Sequence, residues 1–115
     1  MKNEQLQQLI GELRKASAEA NSNIWKSIAL DLETPTEKRA AVNLSKIDRY
    51  TENEDVVVVP GKVLSMGSLS KKITIAAYNY SREALEKIKA SGSKAISINE
   101  LAKKNPKGNK IKIIG

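Results

Sequence analysis

Hydrophobic positions recur at two different periods along the chain, and the change of period divides it. Over residues 3–20, Leu6, Leu9, Ile10, Leu13, Ala16 and Ala20 fall at steps of three and four. That spacing gathers them on one face of a helix. Asn3 stands where an N-cap belongs. Asn21-Ser22-Asn23 interrupts this helix and can cap the next, which carries Ile24, Trp25, Ile28, Ala29 and Leu32 and ends before Thr34-Pro35. Trp25 reads as a core anchor between the two helices. With no second aromatic nearby, it does not read as a base-stacking platform.

Beyond residue 41 the period shortens. Val42-Asn43-Leu44 alternates like a short strand, and Ser45 is placed to cap a short helix from Lys46 to about Thr51. Four valines then form a strand, Val56 to Val59, ended by Pro60-Gly61. Gly67-Ser68 permits a turn, and a second alternating strand runs from Lys72 to Tyr78. Ser81 is placed to cap a helix bearing Ala84, Leu85 and Ile88, which Ser91-Gly92 stops. Ile96-Ser97-Ile98 alternates again, Asn99 is placed to cap, and a turn with Pro106 and Gly108 leads to a strand, Ile111 to Ile114. Residues 42–61 and 96–115 align without a gap at an offset of 54, bringing Val42 to Ile96, Leu44 to Ile98, Ile47 to Leu101 and Val57 to Ile111. This predicts an internal repeat of strand, short helix, turn and strand, stacked on a common core. The expected organisation is one mixed α/β domain over 1–115, with N-terminal helices in 1–33 and a strand/helix core in 42–115.

Composition narrows the function. The chain has no cysteine and no histidine, which removes thiol chemistry, the commonest general base and the commonest metal ligand. The serines have no histidine partner, and Ser70 and Lys71, being adjacent on an extended chain, point to opposite faces. Glu52-Asn53-Glu54-Asp55 reads as a solvated turn rather than a cation site. No apolar run approaches a membrane span, and MKNEQLQQLI carries acid and glutamine where a signal peptide needs apolar residues. No cofactor, metal or small-molecule substrate is expected.

The stretch VVVVPGKVLSMGSLSKK, Val56 to Lys72, raises the possibility of a phosphate-cradling nucleotide loop. Its glycines argue against one. Gly61 and Gly67 are six apart rather than five, Gly67 is followed by Ser68-Leu69 rather than Lys-Ser, and a strand rather than a helix comes next. The dinucleotide fingerprint is missing as well. The stretch reads as a structural connection between two strands.

Charge points to a different polyanion. Residues 1–55 hold 8 Lys/Arg and 10 Asp/Glu, whereas residues 56–115 hold 12 and 3, so the excess of +7 belongs to the second half. Lysine-rich turns with only four aromatic residues, Trp25, Tyr50, Tyr78 and Tyr80, favour structured RNA recognised through phosphates and shape. The RNP and GXXG signatures of single-strand readers are absent.

Two stretches carry a family resemblance: KRAAVNLSKIDRY, and then VVVVPGKVLSMGSLSKKITIAAYNYSREALEKIKASG. Together with NIWKSIALDLETP they resemble large-subunit ribosomal protein L-eighteen-e, the archaeal and eukaryotic relative of bacterial ribosomal protein L-fifteen. The likeness covers nearly the whole chain. Ser65-Met66 departs from it, because a smaller, more glycine-rich turn is expected before Gly67. The resemblance implies an irregular β-β-α superhelix and a structural, non-catalytic role in the cytoplasmic ribosome. It also implies large-subunit ribosomal RNA and neighbouring ribosomal proteins as partners.

Charge and position suggest three RNA-binding clusters. Lys38, Arg39, Lys46 and Arg49 flank VNLSKI, and the arginines can clamp phosphates bidentately. Asn43 and Ser45 lie between them, available either to RNA or to backbone capping. Lys62, Lys71 and Lys72 form the second cluster, and Lys103, Lys104, Lys107, Lys110 and Lys112 the third. Two alternatives share the same composition: an enzyme acting on nucleotides or RNA, and a non-ribosomal RNA-binding protein or RNA chaperone.

Overall fold

The computed structural model describes residues 4–33 and 40–115. The helical period produces α1 (Glu4–Ala20) and α2 (Asn23–Leu32). Asn21, at φ 52°, turns the chain between them, and an Arg14–Glu33 ion pair ties the first helix to the end of the second. The expected N-cap Asn3 lies outside the described residues. Then follow β1 (Ala40–Asn43), α3 (Leu44–Arg49), β2 (Val56–Leu64), β3 (Thr74–Tyr80), α4 (Arg82–Ala90), β4 (Lys94–Ser97), α5 (Ile98–Lys104) and β5 (Ile111–Ile113).

All five strands are parallel, in the order β1-β2-β3-β4. β5 pairs with Val56–Val58 of β2 and β1 with Gly61–Leu64, so the two lie end to end along one edge of β2. A sheet of this kind is covered on both faces, which explains the unbroken valine run. Val57 and Val59 enter one apolar cluster, while Val58 enters the other. Steps β1 to β2, β2 to β3 and β3 to β4 all move the same way across the sheet. Right-handed crossovers therefore put α3, the loop carrying Leu69 and Ile73, and α4 on one face. The step from β4 back to β5 reverses direction, and α5 falls on the opposite face with α1 and α2.

Several boundaries differ from the expectations, each for a local reason. β2 does not end at Pro60-Gly61 but runs on to Leu64. Pairing with β3 shifts register between Val59 and Lys62, and that irregularity accommodates a proline with no N–H. The strand expected from Lys72 begins at Thr74. α3 starts at Leu44 rather than after Ser45, and α5 at Ile98 rather than after Asn99. The Ser97 hydroxyl caps α5 by accepting from the Glu100 N–H at 3.3 Å. Ser81 caps α4 as expected, accepting from the Ala84 N–H at 3.1 Å. The stretches aligned at an offset of 54 each run through strand, helix and strand, with α3 packed on one face of the sheet and α5 on the other.

Candidate nucleic-acid interface

The connection between β2 and β3 is held by protein groups along its length. Asn43 stands at the N-cap position of α3, yet its Oδ1 accepts from the Met66 N–H at 3.2 Å instead of capping the helix. The Ser45 N–H donates to the Met66 carbonyl at 3.0 Å. Asp48 accepts from the Ser70 N–H at 2.9 Å and from its hydroxyl at 3.0 Å. Those hydrogen bonds, the backbone one first, hold the Asp48 carboxyl below its ordinary pKa against the opposing effect of burial, with the nearby Lys71 charge helping. Lys87 reaches over from α4 and donates to the carbonyls of Ser65 and Gly67 at 2.8 and 2.9 Å. Gly67 has φ 90°, and a Cβ there would sit 2.6 Å from Ser45 Cβ. Only glycine fits this turn. The stretch is thus a structural turn clasped between α3 and α4.

This clasp redistributes the expected clusters. Lys71 is half-buried, and its Nζ donates to the carbonyls of Asp48 and Thr51 at 2.6 and 2.5 Å. It closes the carbonyl-bearing end of α3, where positive charge is favourable. Lys46 Nζ donates to the Gly115 carbonyl at 2.7 Å. Lys112 pairs with Asp55 at 2.8 Å and reaches the Tyr50 carbonyl at 3.2 Å, and its contact with Asp55 holds that carboxyl's pKa down. Lys104 pairs with Glu100 one helical turn away, at 3.5 Å. Lys38 and Arg39 lie outside the described residues. Arg49, Lys62, Lys72, Lys103, Lys107 and Lys110 are exposed, and among the described residues their side chains have no hydrogen-bond or ion-pair partner.

The free cations are not grouped as the sequence numbering suggests. Lys62 lies near the carboxyl end of β2, whereas Lys71 and Lys72 precede β3 at the amino end of the sheet. The sheet's length separates them. Arg49 closes α3, Lys103 lies in the last turn of α5, and Lys107 and Lys110 follow on the turn into β5. With Lys72 they populate the amino end, where β2, β3 and β5 all begin.

The turn carrying Lys107 and Lys110 is fixed by the N-terminal helices. The buried Trp25 indole donates to the Pro106 carbonyl at 2.7 Å. The Ser22 hydroxyl, which its position offers to α2 as a cap, instead donates to the Lys107 carbonyl at 3.0 Å. Asn105 and Asn109 bond each other across the turn at 2.9 and 3.3 Å. Gly108, at φ 68°, packs so closely on Ile24 that a Cβ would reach within 2.2 Å of its methyl group. Sequence reasoning missed Ser22, Asp48 and Lys87 as organisers of the basic loops. Their partners lie 85, 22 and 22 residues away, too far for any local pattern to announce them.

Comparison with known proteins shows what the chain is similar to. Residues 2–115 match the profile described as ribosomal protein 60S L18 and 50S L18e. The large ribosomal subunit protein eL18 of Thermoplasma acidophilum is 46% identical, over 95% of this chain and 91% of the relative. The protein of the same name from Methanococcus maripaludis is 43% identical over 93% and 89%, and that from Methanothermobacter thermautotrophicus 41% over 97% and 93%. With the family model matched across almost its whole length and 41–46% identity to these relatives, the chain belongs to the L18/L18e family of ribosomal proteins.

Proposed function

We propose that this chain is a structural constituent of the large ribosomal subunit in the cytoplasmic ribosome and binds large-subunit ribosomal RNA. The observation that carries the RNA reading is the set of exposed cations, unpartnered among the described residues, on rigid supports: Arg49, Lys62, Lys72, Lys103, Lys107 and Lys110. Lys71, Lys87, Trp25 and Ser22 hold the loops that present them, so little ordering entropy remains to be lost on docking. Neutralising phosphates with these groups releases counterions, and the shape of the clasped turns sets register. The relatives' shared name supports the large subunit as the place of assembly. Neighbouring ribosomal proteins are the further partners this reading implies. No described helix is long and apolar enough to cross a membrane.

The test is sedimentation of a cell lysate before and after a high-salt wash, with the chain followed by immunoblot. Co-migration with the large subunit through the wash is expected. Recovery mainly at the top of both gradients would overturn the ribosomal assignment and favour a free RNA binder.

A further inference from the structure

One row of the sheet is left bare. Ala41, Lys62 and Asn79 are register partners on the adjacent strands β1, β2 and β3, and all three are exposed. The next row along is Val42, Val63 and Tyr80, which packs into the apolar cluster beneath α3 and α4. Successive residues of a strand point to opposite faces, and Val42 and Val63 enter the cluster beneath α3 and α4, so Ala41 and Lys62 look out on the side of α1, α2 and α5, with the exposed Asn79 as the register partner of Lys62 on β3. Their exposure means those helices stop short of the carboxyl end of the sheet. Asn43 and Leu64, partners two residues further on, border the row and are half-buried.

Chemistry selects the occupant of this patch. A protein–protein interface core is rich in aromatic and large apolar groups and poor in charge. This row offers one ammonium unpartnered among the described residues, one amide and one methyl group, and none of its residues is a carboxylate. The Asn79 Oδ1 accepts from the Tyr80 N–H at 2.9 Å, which leaves the amide's NH2 to donate to a ribose 2′-hydroxyl, and an ammonium complements a phosphate. A small residue lets a backbone approach the strands closely, and the wide, shallow minor groove of an RNA duplex presents sugars and phosphates to a flat surface. The sheet's length separates this patch from the Lys72, Lys107 and Lys110 end.

We infer that the bare row Ala41–Lys62–Asn79 is a second docking surface, distinct from the amino end of the sheet, and that it takes the sugar–phosphate backbone of a double-helical RNA segment. The inference rests on the RNA reading above.

Filter binding of the full chain to a large-subunit ribosomal RNA transcript tests both. The variants are Lys62→Ala, Ala41→Glu and Asn79→Ala, with Lys26→Ala on α2 as a matched loss of charge elsewhere. Lys62→Ala should lower the slope of log affinity against log salt by about one, so its deficit narrows roughly threefold between 50 and 200 mM salt. Ala41→Glu, which sets a like charge against phosphate, should cost about tenfold or more. Lys26→Ala should stay near wild type, and thermal melts of all four should match it. Wild-type affinity for all three row variants, in a protein that binds RNA tightly, overturns the second surface. So does an equal loss from Lys26→Ala, which would mean diffuse charge. If the wild type itself fails to bind the transcript, the RNA reading falls, and this inference with it.

Discussion

Replacing Gly67 with alanine is expected to unseat the loop between β2 and β3. Two costs arise at once. Gly67 has φ 90°, a conformation that costs an L-residue roughly 1–2 kcal/mol. The new Cβ would also lie 2.6 Å from Ser45 Cβ and 2.8 Å from Ser45 N, atoms of the first turn of α3 that have no free rotor with which to retreat. The loop must therefore move, and the nearest contacts to fail are the two hydrogen bonds of Met66 to Asn43 and Ser45, each contributing about 1 kcal/mol. The sum is a loss of about 3 kcal/mol. With an unfolding entropy of ~2.1 cal/mol/K per residue over 115 residues, that is a fall in Tm of roughly 12 °C. Urea titration and thermal melting followed by circular dichroism would measure it. Gly11→Ala is the matched control. Gly11 lies within α1, and a Cβ added there would meet nothing within 4 Å, so alanine should stabilise by up to about 1 kcal/mol. A Gly67→Ala protein within about 0.5 kcal/mol of wild type would refute the close-approach reasoning.

Lys71→Met should destabilise the fold by about 1–3 kcal/mol in urea titration, because the carbonyls of Asp48 in α3 and of Thr51 just beyond it lose a charged donor, whereas Lys62→Met should change stability by less than about 0.5 kcal/mol. Trp25→Phe should cost about 2–3 kcal/mol through the lost indole bond to Pro106 and the void left in the core; amide exchange should quicken most over residues 105–110. Asp48 has a folded pKa below its ordinary 3.8, so its contribution is complete above that value and is lost as pH falls through the depressed folded value. The gap in urea midpoint between wild type and Asp48→Asn should therefore be widest near neutrality and close in strong acid; a constant gap would refute the linkage. Tyr80→Phe should destabilise by about 1 kcal/mol, since the buried hydroxyl that donates to the Ile75 and Ile96 carbonyls ties β3 to β4. Burial also pushes that hydroxyl's pKa well above the ordinary range, so absorbance titration should find it un-ionised until the protein unfolds in alkali.

The elements and their faces were largely legible from one-dimensional pattern. Leu6, Ile10 and Leu13 are buried on α1, and Trp25, Ile28, Ala29 and Leu32 on α2, as the three–four spacing demands. Ser81 and Gly92 bound α4 because capping and positive φ are local properties. The boundaries that moved are those where local preference met a distant partner. Asn43 gives up capping α3 to hold Met66, and β2 passes through Pro60-Gly61 because strands on both sides extend it. The candidate site was less legible. Composition located the excess of cations in the second half, but a lysine's fate depends on which carbonyl or carboxylate the fold brings within reach. Lys46, Lys71 and Lys112 are committed to the protein, while Lys62 and Lys72, grouped by number, are parted by the length of the sheet.

Periodicity and capping residues were thus sufficient for the class of domain and much of the content of its core, since each depends on residues within a turn or two of one another. The layering depended on chain direction and handedness. Similar strand–helix–strand segments send their helices to opposite faces because one crosses a single step and the other returns across the sheet. That reversal brings the turn after α5 against Trp25 and Ser22, and it leaves the Ala41–Lys62–Asn79 row uncovered at the far end. Neither outcome is encoded in any short stretch, because both are relations between segments that meet only after the sheet has formed.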